Sequence, residues 1–131
     1  MVPARRRPRL SGAQLEIMKI VWGRGEATVA DVWKELSAKR HVARNTVQTM
    51  MKRLEDKRYL RHELEGNGFL YSATVGRSST LREMVCSFVE SAFSGSAEGL
   101  VMALIDGRGL SKDEAQRIRA LIDSAAREKR R

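Results

Sequence analysis

The chain has 131 residues, of which 42% are hydrophobic and 31% charged, with a net charge of +9 and a pI near 10.4. This length suits one domain or a small domain with an attachment. No apolar run approaches the ~20 residues that cross a bilayer, and no apolar core follows the N-terminal arginines, so no secretory signal is predicted. The single cysteine, Cys86, excludes an intramolecular disulfide framework. We therefore expect a cytoplasmic protein without direct membrane insertion.

Positive charge is concentrated in the first half of the chain. Residues 1–75 hold 15 basic and 8 acidic side chains, whereas residues 76–131 hold 10 basic and 8 acidic ones. A basic half is typical of a module that binds nucleic acid. A solubility device, an RNA-binding surface or an acidic protein partner would give the same charge.

The first ten residues hold four arginines and two prolines without apolar periodicity, which predicts a disordered basic arm over residues 1–10. Basic arms of this kind track phosphates or enter a minor groove. A solvated tail is the alternative interpretation.

Three helices are predicted to follow between residues 11 and 57. Ser11 with Gln14 forms a capping box at the first, Thr28 caps the second, and Asn45 is the expected N-cap of the third. Each helix carries one apolar stripe at helical spacing, so Trp22 and Trp33 are interpreted as core residues. The stripes are Leu15, Ile17, Met18, Val21 and Trp22; then Val29, Val32, Trp33 and Leu36; then Val47, Met50, Met51 and Leu54.

A β-hairpin is predicted directly after the third helix. Two alternating runs, residues 59–65 and 69–75, flank the turn residues Gly66, Asn67 and Gly68. A short polar helix that leads into a hairpin is the arrangement that a winged helix-turn-helix presents to DNA.

The polar face of the third helix has side chains suited to reading bases. Asn45 and Gln48 can pair with adenine, Thr49 can contact a thymine methyl, and Lys52 suits guanine or phosphate. The alternative is an ordinary solvated helix face. Neighbouring residues are interpreted as phosphate contacts, which position the protein on DNA without specifying a base sequence. The wing tip is expected to approach the DNA backbone or minor groove. These residues are Arg44, Thr46, Arg53 and, at the tip, Asn67.

Residues 77–131 are predicted to form three amphipathic helices and no strand. Ser79 or Thr80 caps the first, residues 93–96 end it, and Ser111 with Glu114 forms a capping box at the third. So short a segment can hardly bury three apolar stripes alone, so pairing with a second copy is expected. Packing against the first half is the alternative. The predicted dimerisation residues are Leu81, Met84, Val85, Phe88, Leu100, Leu104, Ile118, Leu121 and Ile122.

No catalytic, metal or cofactor site is predicted. His41 and His62 have only scattered glutamates near them in sequence, and no phosphate loop or zinc spacing is present. Cys86 lies in an apolar stripe and is expected to be a small buried side chain. A redox-sensing thiol is the alternative.

The order of elements and several motifs resemble the BlaI/MecI/CopY family of bacterial repressors from Leu10 to about Ala125. The sharpest element is the TVxTxxxRL pattern of Thr46, Val47, Thr49, Arg53 and Leu54. The other matching parts are LSGAQLEIMKIVW, GEATVADVWKEL, NTVQTMMKRLEDK, the Tyr71 wing, the FSGS break and GLSKDEAQRIRALID.

The resemblance implies a mostly α protein with a small β-hairpin wing: a winged helix-turn-helix over residues 11–76 and a helical dimerisation region over residues 77–131. It implies a homodimeric repressor that binds a palindromic operator in double-stranded DNA. In the β-lactam branch, a membrane sensor metalloprotease triggers cleavage in the dimerisation region, which would make this chain a regulator of antibiotic resistance. In the copper branch, paired cysteines near the C-terminus capture the metal.

Three positions depart from the family pattern. Arg58 stands where the family has a glycine in a left-handed helix cap. The FGGS break is here Phe93-Ser94-Gly95-Ser96, and the Asn–Phe cleavage site corresponds to Ala103–Leu104. Because Cys86 is the only cysteine, the copper branch lacks its thiolate cluster. A small-ligand or redox trigger, or a winged helix used for protein–protein interaction, are the remaining alternatives.

Overall fold

The structure is a computed structural model that describes residues 7–129. Six helices and three short strands follow one another along the described chain, and the predicted fold class is confirmed. Their bounds are α1 (Gly12–Arg24), β1 (Glu26–Ala27), α2 (Val29–Ser37), α3 (Arg44–Asp56), β2 (Leu60–Glu65), β3 (Gly68–Ala73), α4 (Arg77–Ala92), α5 (Ala97–Gly107) and α6 (Lys112–Lys129).

The chain divides into two compact units, Met1–Met84 and Val85–Arg131, so the division falls inside α4. The domain boundary predicted at residues 76 and 77 coincides with the start of that helix.

The core of the first unit is formed by one face of each of its first three helices and of the sheet. Its side chains are almost completely removed from solvent, and this burial is the main source of stability for the unit. Trp22 and Trp33 are partly buried against this core. The buried apolar residues are Ile17, Met18, Val21, Ala27, Val32, Leu36, Val47, Met51, Leu54, Tyr59, Leu60 and Tyr71.

The first two predicted helix starts are confirmed. The Ser11 hydroxyl accepts a hydrogen bond from the Gln14 backbone N–H at 3.1 Å, and the Gln14 side chain accepts one from the Ser11 N–H at 3.0 Å. Thr28 and Asp31 form the same reciprocal box on α2. These bonds satisfy N–H groups that have no partner inside a helix.

The predicted start of α4 was wrong, and the capping box predicted at α6 is incomplete. Helix α4 begins at Arg77, so Ser79 and Thr80 lie inside its first turn, where both hydroxyls donate to the Gly76 carbonyl oxygen, at 3.2 and 2.7 Å. A hydroxyl can bond a carbonyl one turn back as well as it can cap an N–H, and this alternative applies here. At α6, Ser111 accepts from the Glu114 N–H, but the Glu114 carboxylate binds Arg108 instead of completing a capping box.

The predicted hairpin is confirmed, with β2 and β3 paired from Leu60↔Ala73 to Glu65↔Gly68. A third strand was missed: β1 pairs antiparallel with β3 through Glu26↔Ser72 and Ala27↔Tyr71, which gives the sheet order β1-β3-β2. Two residues are too short to show an alternating pattern in the sequence.

The described part of the basic arm is bonded to the body of the unit. The Tyr59 hydroxyl donates to the Pro8 carbonyl at 2.9 Å, Lys57 Nζ donates to the Arg9 carbonyl at 2.6 Å, and Arg7 Nε donates to the Arg58 carbonyl at 2.6 Å. The prediction of a disordered arm therefore fails for residues 7–10. Residues 1–6 lie outside the described residues.

The second unit has no fully buried side chain among its described residues, 85–129. Helices α4 and α5 are separated by a break in which Ser94 (φ 50°) and Gly95 (φ 84°) both have left-handed backbone. Among residues 7–129, no single helix is long and apolar enough to cross a membrane, although α4 and α5 would pass that test of length and composition together.

Candidate nucleic-acid interface

Helix α3 presents one apolar and one polar side. Val47, Met51 and Leu54 are fully buried, which holds the helix against the core and turns its opposite side outward. All seven residues predicted on this helix to contact DNA are exposed, and they form a continuous polar surface. They are Arg44, Asn45, Thr46, Gln48, Thr49, Lys52 and Arg53.

The start of α3 differs from the prediction. Ala43 is the N-cap and no side chain bonds the first turn, so Asn45 is not the cap but the second residue of the helix. The Asn45 side chain is therefore exposed on the polar surface. The segment before the helix is held by Trp33, whose indole N–H donates to the Val42 carbonyl at 2.9 Å.

The positive charges of α3 are not neutralised by neighbours. Within the described part of the chain, Arg44, Lys52 and Arg53 have no ion-pair partner, whereas Arg40 contacts Glu16 at 2.8 Å. Cations without an intramolecular partner remain able to bind phosphates.

The hydroxyl of Thr49 is bonded to the backbone of its own helix. Its Oγ1 donates to the Asn45 carbonyl oxygen one turn back at 3.0 Å. This bond uses the hydroxyl proton, so the methyl group is the better candidate for a base contact.

The wing ends in the two-residue turn Gly66–Asn67, with Gly66 at a φ of 61° and Asn67 exposed. Glycine with positive φ at the first turn position fits the type II′ turn of tight hairpins. Glu63 and Glu65 lie exposed on the strand that leads to the tip, so the negative charge beside Asn67 opposes a close phosphate contact.

Sequence reasoning missed a contact between α3 and the wing. His62 Nδ1 on β2 lies 2.7 Å from a carboxylate oxygen of Glu55 on the last turn of α3. Tyr71, buried beside this pair, has its pKa raised by burial and further by the Glu55 carboxylate. The alternation that buries Leu60 places His62 on the same face of the hairpin, and this was the signal available in the sequence.

The predicted dimerisation residues are half-buried or exposed in the single chain. Val85, Phe88, Leu104, Leu121 and Ile122 are each more than two-fifths exposed. The other four are Leu81, Met84, Leu100 and Ile118, which are half-buried.

The single cysteine and the predicted cleavage region are also exposed. Cys86 is exposed, so the prediction of a buried thiol was wrong for the single chain. Ala103 and Leu104, the predicted cleavage region, are exposed on α5. Across residues 7–129, no group of three or more His, Cys, Asp or Glu side chains is placed to hold a metal ion.

Three helices and a three-stranded sheet with an exposed polar third helix define a winged helix-turn-helix protein. The model of the penicillinase repressor family matches residues 10–124, nearly the whole chain. The chain therefore belongs to the penicillinase repressor family.

Relatives agree with this assignment, and their names describe a repressor and a regulatory protein, not enzymes. A penicillinase repressor from Bacillus licheniformis is 29% identical over 116 residues, covering 88% of this chain and 91% of that protein. The methicillin resistance regulatory protein MecI from Mammaliicoccus sciuri is 24% identical over 114 residues, covering 87% of this chain and 93% of that protein.

Two solved structures support the fold, one over little more than half of this chain and the other over most of it. The DNA-binding domain of the repressor BlaI matches with a TM-score of 0.51 and 36% identity, covering 57% of this chain and 92% of that domain. A MarR mutant from E. coli matches over 89% of this chain and 78% of its own, with a TM-score of 0.53 and 20% identity, a likeness of fold alone.

Proposed function

We propose that this protein is a transcriptional repressor that binds a palindromic DNA operator as a homodimer. The observation that carries the proposal is the exposed polar surface of α3, backed by the fully buried Val47, Met51 and Leu54. A helix held in this way can enter the major groove and present its side chains to base edges.

The residues on this surface divide by chemistry. Asn45, Gln48 and Thr49 are the base-reading residues, and Lys52 binds guanine or phosphate. Arg44, Thr46 and Arg53 bind phosphates and set the register, and Asn67 reaches the DNA from the wing tip. The matching BlaI domain, described as DNA-binding, supports DNA binding by this part of the chain.

The homodimer is supported by the apolar side chains that the second unit leaves exposed. Phe88, Leu121 and Ile122 are between half and seven-tenths exposed, and pairing with a second copy would remove such surface from water. Two recognition helices related by a two-fold axis would then read half-sites about one helical turn apart, ~34 Å.

Relief of repression is proposed to be proteolytic and linked to an inducer. The predicted cleavage region, Ala103–Leu104, is exposed but lies inside α5, so a protease would require this helix to open locally. The partner would be a membrane sensor metalloprotease, and the repressor itself would act on its operator in the cytoplasm. The names of the relatives, penicillinase repressor and methicillin resistance regulatory protein, support a role in antibiotic resistance.

The test is selection of bound sequences from a pool of random DNA duplexes, followed by sizing of the complex. A palindrome bound by two chains is the expected result. A set of sequences without consensus, with binding that vanishes in moderate salt, would overturn the proposal and favour a winged helix used for protein–protein interaction.

A further inference from the structure

One side-chain contact ties the last turn of α3 to the wing. His62 Nδ1 lies 2.8 and 2.7 Å from the two carboxylate oxygens of Glu55. A carboxylate can only accept, so the imidazole must carry its proton on Nδ1. Both side chains are about three-tenths exposed, which shields the bond from much of the competing water.

Aromatic rings of the second wing strand pack against the same imidazole. The ring stacks on Phe69 with centroids 4.0 Å apart and is tilted against Tyr71 at 5.6 Å. Phe69 also meets Tyr71 edge to face at 6.2 Å. Since Tyr71 is buried, the chain of contacts runs from α3 through both strands into the core.

The contact between Glu55 and His62 lies where the wing loses the support of a third strand. Strand β1 supports β3 only at Ser72 and Tyr71, so the hairpin beyond Tyr71 is two-stranded. An isolated two-stranded hairpin is marginally stable in water, and Leu64 near the tip is 78% exposed. His62 pairs directly with Tyr71 and thus lies at the last level that a third strand supports.

We propose that Glu55 and His62 are positioning residues that fix the angle of the wing against the recognition helix. They act through Phe69 and the hairpin and do not themselves touch DNA. The consequence for DNA, which rests on the proposed function, is that the tip at Asn67 meets the duplex in one place relative to the base-reading surface.

The variants separate the bond from the charge. Glu55→Ala removes the acceptor and the charge, and Glu55→Gln removes the charge but keeps an oxygen that can accept from Nδ1. The matched control is Asp56→Ala. Asp56 follows Glu55 in the chain and is exposed, so this variant removes a carboxylate charge without removing the bond to His62. His62→Phe keeps a ring beside Phe69 and removes only the hydrogen bond.

The first readout needs no DNA and uses the full-length protein. Backbone order parameters of residues 62–70 are expected to fall in Glu55→Ala from about 0.85 toward 0.6. They should recover in Glu55→Gln and stay unchanged in Asp56→Ala. Equal wing order in Glu55→Ala and Asp56→Ala would overturn the proposal, whatever the protein binds.

The second readout uses the duplex recovered by selection. Glu55→Ala is expected to bind it about threefold to tenfold more weakly than Asp56→Ala, with the same preferred bases under α3. Asn67→Ala should weaken the wild type but add little in the Glu55→Ala background, because the tip is already misplaced. Full additivity would show that the pair does not place the tip. Failure to recover any duplex would overturn the proposed repressor function and leave the order parameters to decide on the wing.

Discussion

The backbone of Arg58 is left-handed, with a φ of 70°, and its carbonyl oxygen accepts a hydrogen bond from the Thr74 hydroxyl at 2.6 Å. Arg58 thus keeps the conformation that the family pattern gives to a glycine. Two contacts hold this conformation in place, because Arg7 Nε also donates to the same carbonyl at 2.6 Å.

Replacing Arg58 by glycine is expected to stabilise the protein. A left-handed residue with a Cβ costs ~1–2 kcal/mol, and glycine costs ~0.5–1 kcal/mol in extra chain entropy, which leaves a net gain of up to ~1.5 kcal/mol. The measurement is the free energy of unfolding in urea. Arg58→Ala is the control because it removes the side chain but keeps the Cβ. A glycine variant no more stable than the alanine variant would show that the left-handed cap is not strained.

The stabilising effect of the Asp31 charge is expected to depend on pH. The hydrogen bond from the Thr28 backbone N–H, with smaller help from Arg24, lowers the pKa of Asp31 below its ordinary 3.8. A lowered pKa in the folded state means that the charge stabilises the fold above about pH 3.8, and that this contribution is lost as the pH falls through the folded value.

The test compares Asp31→Asn with the wild type from pH 3 to pH 7. At neutral pH, loss of the charge from the first turn of α2 should cost ~0.5–1 kcal/mol of unfolding free energy, and the difference should shrink at the acid end. The control is Asp56→Asn, which alters an exposed carboxylate at the C-terminal end of α3. It should change stability by less than ~0.5 kcal/mol. A difference between Asp31→Asn and wild type that is the same at pH 3 and pH 7 would exclude this account.

Gln48→Ala and Thr49→Ala are each expected to weaken operator binding by ~1–3 kcal/mol and to relax sequence preference. Since the Thr49 hydroxyl is bonded to the Asn45 carbonyl, the methyl group should carry the base contact. Thr49→Val, which keeps a methyl, should therefore retain most of the affinity. A competition assay in which Thr49→Val loses as much as Thr49→Ala would assign the contact to the hydroxyl.

Lys52→Ala is expected to change the salt dependence of binding. Loss of one phosphate contact should reduce the slope of log K against log salt by about 0.9 and weaken binding alike on all sequences. Lys19→Ala, which removes an exposed cation from α1, is the control and should leave the slope unchanged. If the two variants have equal slopes, Lys52 does not bind phosphate.

Leu121→Glu is expected to dissociate the proposed homodimer. Leu121 is 69% exposed in the single chain, and burial of a leucine contributes ~1.5–3 kcal/mol, so the dissociation constant should rise by at least about tenfold. Gln116→Glu adds the same charge to another side of α6 and serves as the control. Sedimentation equilibrium measures both, and circular dichroism checks that the helices persist. Equal dissociation constants would place the interface elsewhere.

Sequence patterns that join residues only a few positions apart predicted much of this fold. Ser11 with Gln14 and Thr28 with Asp31 start their helices as predicted, because a cap depends on residues only three positions apart. The apolar stripe of Val47, Met51 and Leu54 placed the polar residues of α3 on the outside, since helical spacing alone decides which side chains share a face.

Features that join distant residues could not be read from the sequence. Strand β1 exists because β3 offers it a partner some 45 residues later, and the bonds of Tyr59 to Pro8 and of Arg7 to Arg58 hold an arm that looked free. Serine and threonine at 79 and 80 fit a cap locally, but the helix had already begun at Arg77.

The sequence by itself determined the class of protein, the family and the polar face of α3, because periodicity, capping and turn chemistry are local and the motifs of the family are linear. Only the tertiary structure decided what lies next to that face. In the folded chain, Arg58 adopts a left-handed backbone conformation after the end of α3. His62 lies against Glu55, which is seven residues earlier in the chain and on another element. Such contacts depend on how helix and hairpin pack, and packing is decided by the whole buried core.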